Sequence, residues 1–291
     1  MEIEKAREMG FCFGVRRAIN ILKKAARQYE GLETLGAAVH NQQVVAELAK
    51  AGVQVAESLD DLRGNIIAIA SHGVGEQVMA DIEARGLQLV DTTCPIVRSA
   101  QMAARGLAEA GFSVIVFGDA DHPEVKGVLG WTGGKGLATL DTQALTRLSR
   151  LPHRLGILSQ TTQSPARFAE FVAMLVGSTL DRLSELRVVN TICGATRKRQ
   201  AAALELAARV DLMVVVGGCT SANTIRLTEM CAATGVGTYQ VESAAEVKEA
   251  WLKGRHRVGV TAGASTPTQA IDEVVLRLDN IASGRKASGV T

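Results

Sequence analysis

Three short stretches of this sequence repeat one pattern, and that repeat limits what the chain can fold into. Leu89-Val90-Asp91-Thr92-Thr93-Cys94-Pro95 is an apolar run ending at a cysteine, and Val188-Val189-Asn190-Thr191-Ile192-Cys193 writes it again. Met9-Gly10-Phe11-Cys12 is a looser copy. Each cysteine is followed four residues on by an arginine, Arg16, Arg98 or Arg197. The apolar run reads as the end of a buried strand, and Pro95 suits the first position of a helix. The cysteines are therefore expected at strand-to-helix turns, where free backbone N–H groups and the helix dipole suit a thiolate. Three matching thiols, far apart in sequence, predict three ligands brought to one point.

Between these turns, strand and helix patterns alternate in three passes. In the first, a helix with the apolar face Val15, Ala18, Ile19 and Leu22 leads to a strand from Leu32 to Val39 that stops at His40. A helix closed by Gly52 and a short strand at Val53-Gln54-Val55 follow, then a buried strand from Asn65 to Ala70 ending in Ser71-His72. Another helix runs to Gly86, and the strand Leu87 to Val90 delivers Cys94. The second pass has a helix from Pro95 to Ala110, a strand from Phe112 to Phe117 and a turn carrying His122-Pro123-Glu124. A Gly-rich connection (Gly130, Gly133, Gly134, Gly136) and a weak helix near Thr142 to Leu148 come next. Leu155 to Leu158 is a strand ending in Ser159-Gln160-Thr161-Thr162, and the helix opened by Ser164-Pro165 leads to the strand that delivers Cys193. The third pass has a helix through Ala201 to Ala208, the strand Asp211 to Val216 and the turn Gly217 to Asn223. A helix, a short strand at Gly237 to Val241 and a second helix precede the strand Arg257 to Thr261, which ends in Ala262-Gly263-Ala264-Ser265. This pass lacks a closing strand, and Met1 to Ala6 is the natural candidate.

Such alternation predicts an α/β fold with parallel sheets. The threefold repeat predicts three similar domains about a pseudo-threefold axis: 13–94, 95–193, and 194–280 with 1–12, followed by a flexible tail at 281–291. The 291 residues, 47% of them apolar, suffice for that much core. A net charge of +2 argues against broad nucleic-acid binding. The N-terminus lacks the apolar stretch of a signal peptide, and no apolar run approaches the ~20 residues that span a bilayer. A cytoplasmic protein without membrane attachment is expected, its five cysteines reduced unless they hold a metal.

In parallel sheets ligands gather beyond the carboxyl ends of the strands, and every polar turn named above lies at such an end. Three thiolates are too few for closed structural zinc, but they suit a cubane iron–sulfur cluster with one iron open to substrate. Buried structural cysteines are the alternative, and Cys231 fits that description within a helix core. Cys219 lies at a strand end. His40, His72 and His122, with Ser71, Ser221, Asn223, Ser265 and several helix N-termini, make an anion cradle without Lys or Arg, which reads best as a diphosphate site. For any one serine taken singly, N-capping alone is the alternative. Glu124, in the first turn of a helix, is the leading general acid, with Thr161 as hydroxyl relay; a dipole-favoured surface acid is its alternative. Arg16, Arg98 and Arg197, with Arg17, Lys198 and Arg199, suggest a basic face for an acidic ferredoxin or flavodoxin, against separate solvated charges.

A family resemblance joins these pieces. Gly10-Phe11-Cys12-Phe13-Gly14-Val15, His40-Asn41, Ser71-His72-Gly73-Val74, Thr93-Cys94-Pro95, His122-Pro123-Glu124-Val125, Gln160-Thr161-Thr162 and Thr191-Ile192-Cys193 stand in family order. Together they resemble the 4-hydroxy-3-methylbut-2-enyl diphosphate reductases, which close the methylerythritol phosphate route to isoprenoids. The resemblance implies a trefoil of α/β domains around a [4Fe–4S] cluster held by Cys12, Cys94 and Cys193. It also implies reductive loss of the substrate's allylic hydroxyl as water, giving isopentenyl and dimethylallyl diphosphate. His40, His72, Ser221, Asn223 and Ser265 would hold the diphosphate, and His122, Glu124 and Thr161 would surround the hydroxyl. Two positions depart from the family pattern: Ser221-Ala222-Asn223 has one hydroxyl fewer than usual, and Gly194 stands where an aromatic residue often follows the third cysteine. The rival readings are a quinolinate-synthase-like dehydratase, which needs no electron donor, and an iron–sulfur sensor, which needs no proton donor.

Overall fold

The computed structural model describes residues 1–39, 41–143 and 152–284. His40, most of the helix expected near Thr142 to Leu148 and the tail from 285 onward lie outside the described residues. The elements run β1 (Glu2–Lys5), α1 (Phe13–Gln28), β2 (Leu32–Leu35), α2 (Gln42–Lys50), β3 (Val53–Ala56), β4 (Ile66–Ile69), α3 (Glu76–Ala84) and β5 (Gln88–Asp91). They continue with α4 (Pro95–Glu109), β6 (Ser113–Phe117), α5 (Pro123–Leu129), β7 (Gly136–Thr139), β8 (Arg154–Ser159), α6 (Pro165–Thr179) and β9 (Glu185–Val189). The last group is α7 (Gly194–Ala207), β10 (Leu212–Val216), α8 (Ala222–Ala232), β11 (Gly237–Val241), β12 (Arg257–Ala262) and α9 (Thr268–Ala282).

Among the described residues, twelve strands form three four-stranded sheets, ordered β3-β2-β4-β5, β7-β6-β8-β9 and β11-β10-β12-β1. Every pairing is parallel. Each sheet thus has the order second-first-third-fourth, with β1 in the place that β5 and β9 fill in the other two. The N-terminal strand pairs with β12 from Glu2↔Arg257 to Lys5↔Val260, so the third pass closes through the start of the chain.

The chain divides into two compact units. One comprises Met1–Val15, Val39–Val45 and Gly194–Thr291 and holds the sheet of β1, β10, β11 and β12. Its central strand β10 is apolar throughout because both faces are covered. Leu212, Val214 and Val216 face a core shared with Ile271, Val274 and Leu278 of α9. Met213 and Val215 face the other way, toward Ala203, Leu206 and Ala207 of α7 and Leu227 of α8. This is the strict alternation of a pleated strand.

The second unit, Arg16–Ala38 and Ala46–Cys193, holds the other two sheets. In β6, Val114 and Val116 pack with Ala100, Ala104 and Leu107 of α4, while Ile115 and Phe117 pack with Phe168 and Phe171 of α6. Pro95, Pro123 and Pro165 each occupy the first helical turn, and Pro267 is the N-cap of α9. Three expectations need correction. The first strand stops at Leu35 rather than Val39, because Gly36 turns the chain at φ 68°. The Gly-rich connection contains the edge strand β7, whose weak apolar content hid it. The second helix after β11 is two short 3₁₀ turns, Ala244–Glu246 and Glu249–Leu252, the first closed by a Ser243/Glu246 capping box.

Candidate active site

The repeated cysteine pattern becomes repeated backbone geometry. Each of the three cysteines directly precedes a helix: Cys12 before α1, Cys94 before α4 and Cys193 before α7. Each donates its backbone N–H to a carbonyl beyond the end of a strand, Ala264 (3.0 Å), Ser71 (2.9 Å) and Thr161 (2.9 Å) respectively. Those strands, β12, β4 and β8, hold the same position in their sheets. The turns before Cys94 and Cys193 are built alike. Asp91 Oδ1 accepts from Thr93 N at 2.9 Å, and Asn190 Oδ1 accepts from Ile192 N at 3.1 Å. The next side chain, Thr92 or Thr191, donates its hydroxyl to Ile69 O or Ser159 O. Cys12 differs: Gly10 sits at φ 72°, and Cys12 Sγ accepts from Val15 N at 3.5 Å.

The five cysteines are free thiols, and Cys12, Cys94 and Cys193 are all half-buried. Burial pushes the Cys231 thiol up to about 11, which makes it an inert core group. Hydrogen bonding to Glu242, and that carboxylate's charge, push the exposed Cys219 thiol up as well. Cys12, Cys94 and Cys193 remain as the half-buried thiols at equivalent turns, and a thiolate is a soft ligand. Among the described residues, no three His, Cys, Asp or Glu side chains stand close enough together to hold a metal ion.

Glu124 is the second residue of α5 and only 4% exposed, as is Thr161. Thr161 donates its backbone N–H to Glu124 Oε1 at 2.6 Å and its hydroxyl to Oε2 at 2.9 Å. Burial pushes the Glu124 carboxyl above its ordinary value, and the two bonds from Thr161 only partly offset this. The alternative of a dipole-favoured surface acid is thus excluded. Because Thr161 O also accepts from Cys193 N, one residue links the acid to a cysteine turn. His122, the N-cap of α5, accepts at Nδ1 from Glu124 N at 3.1 Å, so the neutral ring carries its proton on Nε2. His72 Nδ1 lies 3.1 Å from Gly73 O, which can only accept, so that nitrogen is the protonated one.

In the other unit, Asn223 and Ser221 stand at the start of α8. Asn223 Oδ1 accepts from Ala264 N at 3.0 Å, which orients its amide so that the NH₂ remains as donor. Ser221 Oγ caps the helix by accepting from Thr224 N at 3.4 Å and keeps its hydroxyl hydrogen for another acceptor. Ser221, Asn223 and Ser265 are all buried. The basic residues divide. Arg98 pairs with Asp91 at 2.6 Å, Arg17 donates to Thr93 O at 3.1 Å, and Arg199 is buried, donating to Gly10 O at 2.7 Å. Only Arg16, Arg197 and Lys198 of the six are exposed. Burial pushes the Asp91 carboxyl up, but Thr93 and the Arg98 guanidinium outweigh it and hold it below its ordinary value.

Sequence comparison agrees with this geometry. The family model described as LytB protein matches residues 3–279. The chain belongs to the LytB protein family. A 4-hydroxy-3-methylbut-2-enyl diphosphate reductase of Dehalococcoides mccartyi (strain CBDB1) is 51% identical over 284 residues, 98% of this chain and 100% of the relative. The protein of the same name from Pelobacter propionicus is 43% identical over 281 residues, 97% of this chain and 99% of the relative. Among solved structures, the E-1-hydroxy-2-methyl-but-2-enyl-4-diphosphate reductase from Plasmodium falciparum aligns with a TM-score of 0.90 at 25% identity, covering 96% of this chain and 88% of that one. A second, described as (E)-4-hydroxy-3-methyl-but-2-enyl diphosphate reductase, the terminal enzyme of the non-mevalonate pathway, aligns at 0.69 with 34% identity, covering 96% and 100%. The three parallel α/β sheets are thus those of LytB relatives. No helix among the described residues is long and apolar enough to cross a membrane.

Gln101 and Trp131 escaped the sequence reading, yet both donate to Val74 O, at 3.1 and 2.9 Å, two residues from His72. Gln101 had a readable signal, since it is a polar residue on the apolar stripe Val97, Ala100, Ala104, Leu107 of α4.

Proposed function

We propose that this chain reduces 4-hydroxy-3-methylbut-2-enyl diphosphate, removing its allylic hydroxyl as water to give isopentenyl and dimethylallyl diphosphate. Two electrons and two protons balance each turnover. The observation that carries the reading is the buried Glu124–Thr161 pair, bonded through Thr161 O to the turn of Cys193. Cys12, Cys94 and Cys193 would hold a [4Fe–4S] cluster, which would supply the electrons and an iron open to the hydroxyl group. The gathering of the three thiols is part of the proposal.

The chain's own residues move the proton. Thr161 N–H keeps Glu124 Oε1 an acceptor, so a protonated Glu124 carries its proton on Oε2. The bond to Thr161 Oγ1 then reverses, with the acid donating and the threonine hydroxyl passing its own hydrogen to the departing oxygen. His122 donates from neutral Nε2 to the same oxygen or to the diphosphate. His40, His72, Ser221, Asn223 and Ser265 hold the diphosphate, which the orientation of the Asn223 amide supports. The protein partner is an acidic electron donor, a ferredoxin or flavodoxin, received by Arg16, Arg197 and Lys198, with a rate that falls as salt rises.

Glu124→Gln tests the reading. The variant is expected to load iron and bind substrate, yet lose at least ~10²-fold in turnover, the lower end for general-acid catalysis. The raised carboxyl sets the sign of the pH dependence. The proton is present at low pH and lost as pH rises through the folded value, so wild-type turnover falls on the alkaline side. Glu124→Gln should abolish that limb. Near-normal turnover with full iron content would move the proton source elsewhere, first to His122.

A further inference from the structure

Beyond the backbone bonds Cys94 N–H to Ser71 O and Glu76 N–H to Gly130 O, the turn that carries His72 takes side-chain bonds from two sides at a single atom. Residues 70–75 connect β4 to α3, and within them the Val74 carbonyl accepts from Gln101 Nε2 at 3.1 Å and from Trp131 Nε1 at 2.9 Å. Gln101 lies fully buried in α4, the helix whose N-cap is Cys94. Trp131 follows Gly130, the C-cap of α5, the helix that carries Glu124 and has His122 as its N-cap. One carbonyl thus joins the turn of His72 to the helix of Cys94 and to the helix of Glu124.

The surrounding contacts leave little room for another arrangement. A Cβ added at Gly130 would meet Gly75 Cα at 2.5 Å, and one at Gly127 would meet Gly73 O at 3.2 Å, so α5 rests on the turn backbone to backbone. A Cβ at Gly73 would strike Gln101 Nε2 at 2.5 Å. The other end of Gln101 is fixed too, its Oε1 accepting from Arg98 Nη1 at 3.1 Å. The Arg98 and Arg105 guanidiniums lie 5.7 and 5.8 Å from the centre of the Trp131 ring. A buried amide on an apolar helix stripe costs stability unless both ends are bonded. Packing alone would be served by leucine.

We infer that Gln101 and Trp131 are positioning residues, which set the His72 ring relative to Cys94 and Glu124 by sharing Val74 O. The inference rests on the proposed role of His72 in holding the diphosphate. His72 Nδ1 is bonded to the carbonyl of the neighbouring Gly73, so the ring moves with the turn. Loosening the turn should weaken the hold on diphosphate and leave the Glu124–Thr161 pair untouched.

The test is a double-mutant cycle with Gln101→Met, which keeps length and volume but has no N–H to give Val74 O, and Trp131→Phe, which keeps a ring but not its N–H. Iron-loaded proteins are compared by binding of inorganic diphosphate, by KM and kcat, by iron content and by thermal melting. Each single change is expected to raise KM and the diphosphate Kd about threefold, and the double about tenfold or more beyond the product of the singles, since the carbonyl then has neither donor. Changes in kcat should be smaller than those in KM, and iron content should not change. Singles and a double that lower the melting temperature but leave KM and Kd at wild-type values would overturn the inference, as would strictly multiplicative effects. Should the double variant not fold, Gln101→Met alone decides, and an unchanged KM counts against the inference. Wild-type protein that neither binds diphosphate nor turns over the substrate would instead remove the functional reading and this one with it.

Discussion

The turn before Cys12 and those before Cys94 and Cys193 each set a cysteine at a helix start, by different means. Before Cys94 and Cys193, an Asp or Asn closes a tight turn on its own backbone and a Thr ties it to the neighbouring strand. These turns carry their own hydrogen bonds, in the manner of Asx turns. The Cys12 turn has neither side chain. It relies on Gly10 in a left-handed conformation and on Arg199, which reaches Gly10 O from α7. A locally bonded turn survives loss of one contact, whereas a turn held from outside depends on the residue that holds it.

The largest effect is therefore expected at Arg199. Arg199→Met keeps much of the buried stem but removes a charged donor. It should cost about 1.5–3 kcal/mol, the worth of a hydrogen bond to a charged group, and release iron faster than wild type. Chemical denaturation and iron retention on dilution measure the two effects; unchanged values in both would break the contrast. Gly10→Ala should follow, at roughly 1–2 kcal/mol for a Cβ in the left-handed region. Its Cβ would fall 3.1 Å from Ile271 Cδ1 and 3.3 Å from Thr266 O.

Thr92→Val and Thr191→Val are expected to cost less, about 0.5–1.5 kcal/mol each, because the Asx bonds and the cysteine N–H bonds persist. Losses equal to that of Arg199→Met would show that these turns are no more self-sufficient than the first. The smallest change sharpens the comparison at a second glycine. Gly194, which follows Cys193, has nothing within 4 Å of an added Cβ and no positive φ. Gly194→Ala should stay within about 0.5 kcal/mol of wild type.

Much of the fold was readable because both-face burial makes the central strands continuous apolar runs, as in β4 and β10, and because proline marks the helix starts. The missing fourth strand of the third sheet was readable from the repeat, since two passes ended in a strand and one did not. The edge strand β7 was not, because an edge needs little apolar surface and Gly136 hides it. At the site, the Thr-x-Cys spacing announced two turns of one kind. The bonds that matter across long separations, Glu124 to Thr161, Gln101 to Val74 and Arg199 to Gly10, have no local period. Glu124 reads as the leading acid from its motif, but its burial against Thr161 is what separates it from an ordinary first-turn acid. The basic face divided for the same reason: the sequence shows six charges, and only the fold shows that three are used internally.

The measurement that bears most directly on the central proposal is the Mössbauer spectrum of the anaerobically loaded protein, taken before and after addition of 4-hydroxy-3-methylbut-2-enyl diphosphate. A cubane cluster on Cys12, Cys94 and Cys193 predicts one iron distinct from the other three, with substrate shifting that iron alone. Replacing any of these cysteines by serine should remove or destabilise the signal, while Cys231→Ser should preserve it. Four equivalent irons indifferent to substrate, or an intact cluster in each of the three single variants, would contradict the account.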